Sequence, residues 1–195
     1  LRAFLVQVFW IPSASMRNTL IEHDRIAVSR VSQYTGDIRR GDVVVFDDTL
    51  GWLSKNDTKS SSPLRKIAEF TGILPAGGEQ TLVKRVIGLG GDHVTCCTAE
   101  GKIEVNGVAI SEPYLASSGP ASSMTFDVTV PEGHLWVMGD NRTNSADSRY
   151  HMGNGQSPYV PESAVVGRAF AVIWPTNRLT WLGDRSVFSG VPDPQ

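Results

Sequence analysis

Apolar positions in this chain alternate with polar ones over short stretches, and Gly, Pro, Asn and Asp punctuate them. That is a strand pattern. Asp24–Ser32 (DRIAVSRVS) reads as one strand. Arg40-Gly41-Asp42 turns the chain into a short buried strand over Val43–Phe46. Thr81–Leu89 is a third, ending in the glycine turn Gly88–Asp92. Val94–Thr98 leads into a hairpin, Lys102–Val105 and Val108–Ile110 joined by Asn106-Gly107. Asn-Gly between apolar alternations suits a two-residue turn in which both residues take positive φ. Thr125–Val130 and His134–Met138 flank a Pro-Glu-Gly turn. Gly139–Pro158 is a long polar loop, and Ala164–Trp174 is the last strong strand. No repeats occur. The pattern predicts a mostly β protein: curled antiparallel sheets or a partial barrel, many hairpins, a small β cap over about 93–132 and few short helices.

Two segments break the pattern. Residues 47–80 read as an exposed insertion, with a helix over Leu64–Leu74 because Leu64, Ile67, Phe70 and Ile73 share a face. The first eleven residues are apolar at nine positions, with Arg2 the only charge. As a helix they reach about 16 Å, too short for a hydrocarbon core of about 30 Å. Two readings stand: a buried first strand, or a membrane-proximal segment (residues 1–12) dipping into lipid, for which Trp10 and the phenylalanines suit the interface.

Composition narrows the function. The 195 residues carry 18 Lys and Arg against 20 Asp and Glu, a formal charge of −2, without the basic excess of a general nucleic-acid binder. The only cysteines are neighbours, Cys96 and Cys97. Adjacent Cα atoms across a trans peptide lie about 3.8 Å apart, below the ordinary disulfide range, which predicts two free thiols, at least one buried. No HExxH, CxxC, Walker loop or GxGxxG is present, so neither metal nor cofactor is expected.

Three stretches concentrate chemistry. Ile11–Leu20 (IPSASMRNTL) sets Ser13 and Ser15 after a stiffening Pro12. In Thr81–Asp92, Lys84 shares a strand face with Leu82 and Val86. It is either a snorkelling lysine or an ammonium forced from water, and burial of the second kind lowers a lysine's pKa toward general-base range. In Met138–Tyr150, Asp140, Asp147, Arg142 and Arg149 can pair within the loop and hold it still; an ordinary surface loop with weak salt bridges is the other reading. The four histidines lie in unrelated contexts, which leaves a serine nucleophile with a lysine base as a variant of triad chemistry.

Taken in order, IPSASMRNTL, RGDVVVF, KRVIGLGGD, GDNRTNSADSRY and VGRAFAVIWP resemble the bacterial type I signal peptidases, the membrane-bound leader peptidases, over residues 11 to about 174. The resemblance implies a serine endopeptidase that removes signal peptides after small residues at P1 and P3 (Ala-x-Ala). It implies Ser15 as nucleophile and Lys84 as general base. Ser13 with the Ser15 N–H would form the oxyanion hole, and Ser145 would orient the lysine amine. Asp147 with Arg149, and Asp140 with Arg85, would be supporting ion pairs. Phe9, Ile11, Pro12, Met16, Leu20, Ile26, Leu82 and Val83 would line the P1 and P3 pockets. The implied partners are preproteins, membrane lipid and the export machinery, with residues 13–195 as a catalytic β domain on the extracytoplasmic face, after a transmembrane anchor.

Departures from the family pattern are Arg17-Asn18, Ala14, Thr143, a lengthened His151–Pro158 and the size of 47–80; none touches the proposed dyad. A self-cleaving serine–lysine protease of the SOS-repressor type is a second reading, against which stand the apolar N-terminus and the lack of a helix-turn-helix segment. A non-catalytic secretion factor on the same fold is a third, against which stand the intact Ser15 and Lys84.

Overall fold

The computed structural model describes residues 6–30, 37–52, 81–153 and 155–195. The expected helix over Leu64–Leu74, and all of the insertion beyond Trp52, lie outside the described residues. Among the described residues, twelve strands form two antiparallel sheets. The larger has eight: β1 (Val6–Trp10), β2 (Arg25–Ser29), β3 (Val43–Asp47), β4 (Thr81–Gly88), β9 (His134–Met138), β10 (Val160–Pro161), β11 (Val165–Trp174) and β12 (Thr180–Trp181), in the order β1-β2-β11-β3-β4-β9-β10, with β12 paired to β11. The smaller has four: β5 (His93–Cys96), β6 (Ile103–Val105), β7 (Val108–Ala109) and β8 (Phe126–Thr129), in the order β7-β6-β5-β8.

The large sheet is covered on both faces. In β3, Val43 and Val45 pack with Phe9, Ile11 and Met16, whereas Val44 and Phe46 join Val86, Leu135 and Val137. Alternation along one strand therefore feeds two clusters. Register shifts on β11 (Val165/Gly167, Ala169/Ala171, Val172/Trp174) and between β4 and β9 at Val86/Gly88 curl the sheet without closing it. The small sheet packs Val94, Ile103, Val105 and Phe126 against Ile87, Trp136 and Met138. Its hairpin turns at Asn106 (φ 51°) and Gly107 (φ 81°), both positive as Asn-Gly allows. Arg40 forks onto buried Asp92 at the β4–β5 turn (2.6 and 2.7 Å), and Asn106 donates to the same carboxylate, joining the two sheets.

Four features go beyond or against the sequence reading. Cys96 and Cys97 form a disulfide rather than two free thiols: their shared peptide is cis, with the Cα atoms 2.9 Å apart, so the trans spacing behind that expectation does not apply. Among the described residues the first strand is an edge strand paired only with β2, and alternation along it buries Phe9 while Val6 and Trp10 stay exposed. Trp52, inside the segment read as an exposed insertion, is buried edge-on against Phe46 and stacked on His151, and its indole N–H donates to the Ser157 carbonyl. The two-residue strands β10 and β12 are too short to leave a periodic signal.

Candidate active site

The site is built where three segments meet: the β1–β2 loop bearing Ser13 and Ser15, the middle of β4, and the loop after β9. The β1–β2 loop is closed at its base, where Ile11 N–H donates to the Asp24 carbonyl (2.9 Å) and His23 N–H to the Ile11 carbonyl (3.0 Å). Asp24 is buried, caps Ile21 N–H, and takes a fork from Arg178 (2.8 and 2.9 Å). At the tip the Ser13 and Ser15 hydroxyls lie 3.3 Å apart. The loop is tied to the late loop by Asn141, whose N–H donates to the Ser15 carbonyl and whose Nδ2 donates to the Ala14 carbonyl, both at 3.0 Å.

Lys84 is 3% exposed. It sits opposite Val44 on β3 and between Leu82 and Val86, all members of one apolar group, so the snorkelling reading fails: the neighbours close off water. Its Nζ donates to Ser145 Oγ (3.2 Å), and the Ser145 hydroxyl donates to Asp147 Oδ2 (2.8 Å). Burial drives the Lys84 pKa down to about 8; Asp147 and Asp140 oppose the drop and Arg149 adds to it. Asp147 is itself buried. Burial pushes its carboxyl up, but Arg149 (Nε to Oδ1, 2.8 Å; Nη2 to Oδ2, 2.9 Å) and the Gly139 N–H (3.0 Å) hold it below the ordinary 3.8. Asp147 also caps the 3₁₀ turn Ser148–His151.

Gly139 links the serines to the lysine. A Cβ at this position would stand 2.5 Å from the Ser15 carbonyl oxygen and closer still to Ser145 Oγ. The backbone of Ser15 and the hydrogen-bond partner of Lys84 thus meet across one glycine, which no side chain could occupy.

The second ion pair is also buried. Arg85, on the opposite face of β4 from Lys84, forks onto Asp140 (2.8 and 2.7 Å) and donates to the Gly41 carbonyl; Thr19 donates to the same Asp140. Arg142, expected to pair within its own loop, pairs instead with Glu112, whose side chain comes from the segment after β7. These pairs are nearly water-free, so removing one partner strands a charge, unlike a surface bridge.

Of the proposed pocket residues, Phe9, Ile11, Met16, Leu20 and Ile26 share one buried cluster, with Val83 packed against it. Leu82 does not join them. Strand alternation sends it to the other face of β4, where it packs with Val44 and Phe46. Pro12 is exposed on the loop. A shallow groove of about 750 Å³ runs beside the loop, lined by residues including Arg17, Glu22, His23 and Arg178; Lys84 does not border it. Gly139, Asn141, Thr19 and Glu112 do not stand out in the sequence as candidates. Gly139 ends a strand before an Asp/Asn-rich loop, a local signal that can be read; Glu112 stands 30 positions from Arg142 and leaves none.

Residues 1–174 match the family model described as "Signal peptidase, peptidase S26". The chain belongs to the S26 signal peptidase family. A "Probable signal peptidase I" of Mycobacterium leprae (strain TN) is 37% identical over 217 residues, covering 95% of this chain and 74% of that relative. A "Signal peptidase I" of Bacillus licheniformis is 31% identical over 189 residues, covering 92% and 82%. A solved signal peptidase I from Enterococcus faecalis V583 is 26% identical and covers 68% of this chain and 96% of that one, with a TM-score of 0.45. As a member of the S26 family the chain is a serine endopeptidase of the signal peptidase I type, rather than a repressor-type self-cleaving protease. The family is membrane-associated, and among the described residues no helix is long and apolar enough to cross a membrane.

Proposed function

We propose that this peptidase cuts signal peptides from exported preproteins after Ala-x-Ala, with Ser15 as nucleophile and Lys84 as general base. The observation that carries the reading is the dry Lys84 amine, bonded to Ser145 Oγ, which together with the Ser15 carbonyl oxygen crowds the place a Gly139 side chain would take. With its pKa near 8, about one Lys84 in ten is neutral at pH 7, against about three in ten thousand at the ordinary 10.5. The neutral amine takes the Ser15 proton as Oγ attacks the scissile carbonyl. The oxyanion is held by the Ser15 N–H and the Ser13 hydroxyl, a preformed pair suited to charge that develops only in the transition state. Lys84, now an ammonium, protonates the leaving amine. Water, deprotonated by the same lysine, then attacks the acyl-enzyme, which frees the carboxylate product and regenerates Ser15. The roles of Asp147–Arg149 and Asp140–Arg85 are to hold Ser145 and the loop.

Residues 13–195 form the catalytic β domain in this reading, with residues 93–132 as its cap and 1–12 lying next to the membrane on the extracytoplasmic side. The lipid contact is supported by an exposed aromatic edge: Trp10 and Trp174 both pair with Arg25 in the strand register, and Trp181 (80% exposed) and Leu179 (63%) continue it. Tryptophans at an exposed edge suit the lipid–water interface. Small P1 and P3 side chains are the expectation of this reading, and the apolar cluster of Phe9, Met16 and Val83 that they would meet is packed within the core. The test is cleavage of a synthetic signal-sequence peptide, with product masses, by wild type, Ser15→Ala and Lys84→Met. Wild type should cut once, after the P1 alanine, and both variants should be inactive. Turnover by Lys84→Met would refute the dyad.

A further inference from the structure

The short segment after β7, residues 110–116, does more than join two elements. Ile110 is buried in the core of the small sheet, and Leu115 packs against the same core. Between them, Glu112 and Tyr114 reach out to the two arginines of the catalytic end of the large sheet. Glu112 accepts from Arg142 Nη1 (3.0 Å) and Nη2 (2.5 Å), with both side chains only 2% exposed. Tyr114 donates to Glu112 (2.5 Å) and lays its ring 3.8 Å from the Arg85 guanidinium carbon. Burial and the Glu112 charge push the Tyr114 phenol up, so it stays a donor. Ala116 N–H then donates to the Asp140 carbonyl (3.2 Å).

Arg142 carries this grip to the active site. Its Nε donates to the Gly139 carbonyl at 2.7 Å, while the Gly139 N–H is held by Asp147. Both ends of Gly139 are therefore fixed, one by the Lys84–Ser145–Asp147–Arg149 chain and the other by the small sheet through Glu112. Gly139 is also the residue across which Ser15 and Ser145 meet.

We infer that Glu112 and Tyr114 are positioning residues for peptide-bond cleavage: they brace Arg142 and Arg85 so that the Gly139 turn holds the Ser15 backbone against Ser145. The inference rests on the Ser15–Lys84 reading. A buried charge pair is a weak stabiliser of a fold in its own right. Its placement under Gly139 matters because small misplacements of reacting groups cost large factors in rate.

Glu112→Gln and Tyr114→Phe are assayed on the same signal-sequence peptide as Ser15→Ala and Lys84→Met, with rates expressed per folded molecule. In Glu112→Gln, kcat should fall roughly 10- to 100-fold while KM stays within about threefold. The pH midpoint of kcat should move to higher pH, because a loosened Ser145 lets water reach Lys84. Tyr114→Phe keeps the ring over Arg85 and loses one hydrogen bond. Its kcat should fall less, with the midpoint moving the same way, and this variant carries the test should Glu112→Gln not fold. Lower thermal stability with unchanged kcat and pH midpoint in the folded variants would overturn the brace, provided Ser15→Ala and Lys84→Met are inactive. Activity in either of those two would overturn the dyad and the brace with it.

Discussion

Replacing Lys84 by Met keeps most of the side-chain volume and removes the buried ammonium. The native protein resists charging this group, because its pKa falls from the ordinary 10.5 to about 8 on burial. At about 1.4 kcal/mol per pH unit, that gap corresponds to roughly 3 kcal/mol. Between pH 8 and 10.5 the unfolded chain binds the proton that the native chain has released. Wild-type stability therefore rises with pH across that window, and the penalty is fully present below pH 8. Lys84→Met lacks the dependence, and Ser145 keeps its acceptor in Asp147. Every other titrating group is shared, so it cancels in the difference. Urea unfolding of both proteins from pH 6.5 to 10.5 should show the variant's advantage shrinking by about 3 kcal/mol over that range. The variant should be inactive throughout, a case of an active-site charge held at the expense of stability. A stability difference that stays level across the range would mean that Lys84 ionises as it does in water, and the reasoning would fail.

Activity itself should climb with pH through about 8, as Lys84 loses its proton, and kcat/KM measured from pH 5 to 10 checks this; a flat profile would exclude a lysine base. Asp147→Asn removes a charge that holds the Lys84 pKa up and leaves Arg149 unpaired, so any residual activity should rise at lower pH than in wild type, with a stability loss of about 3 kcal/mol or more by denaturant titration. Ser13→Ala should lower kcat roughly 10- to 100-fold with little change in KM, as for loss of an oxyanion donor; an effect on KM alone would remove it from that role. Gly139→Ala drives a methyl into the Ser15 carbonyl and Ser145, so peptide cleavage should fall at least about 100-fold at a stability cost of about 1–3 kcal/mol, and wild-type turnover would contradict the Ser15–Ser145 packing. Replacing Trp174 and Trp181 together by Ser should weaken cosedimentation with lipid vesicles while leaving cleavage of a soluble peptide unchanged.

Much of this was legible locally. Strand periodicity located β2, β3, β4, β9 and β11 to within a few residues, and the Asn106-Gly107 turn marked its hairpin, because a strand's two faces and a turn's φ angles are set by residues next to one another. The order of the Ser13–Ser15, Lys84 and Gly139–Arg149 stretches pointed to the family. Sequence could not say whether Lys84 was dry. That depended on Val44 across the sheet and on β9 lying beside β4, contacts set by long-range pairing. The same limit hid the Arg142–Glu112 pair; the split of Leu82 from Val83 follows instead from strand alternation, and the Cys96–Cys97 bond joins neighbours in the chain. Residue types and local spacing determined which groups were available for chemistry. Only the closing of distant strands around them decided which were buried and paired, because desolvation and ion pairing depend on everything within a few ångströms, whatever its place in the chain.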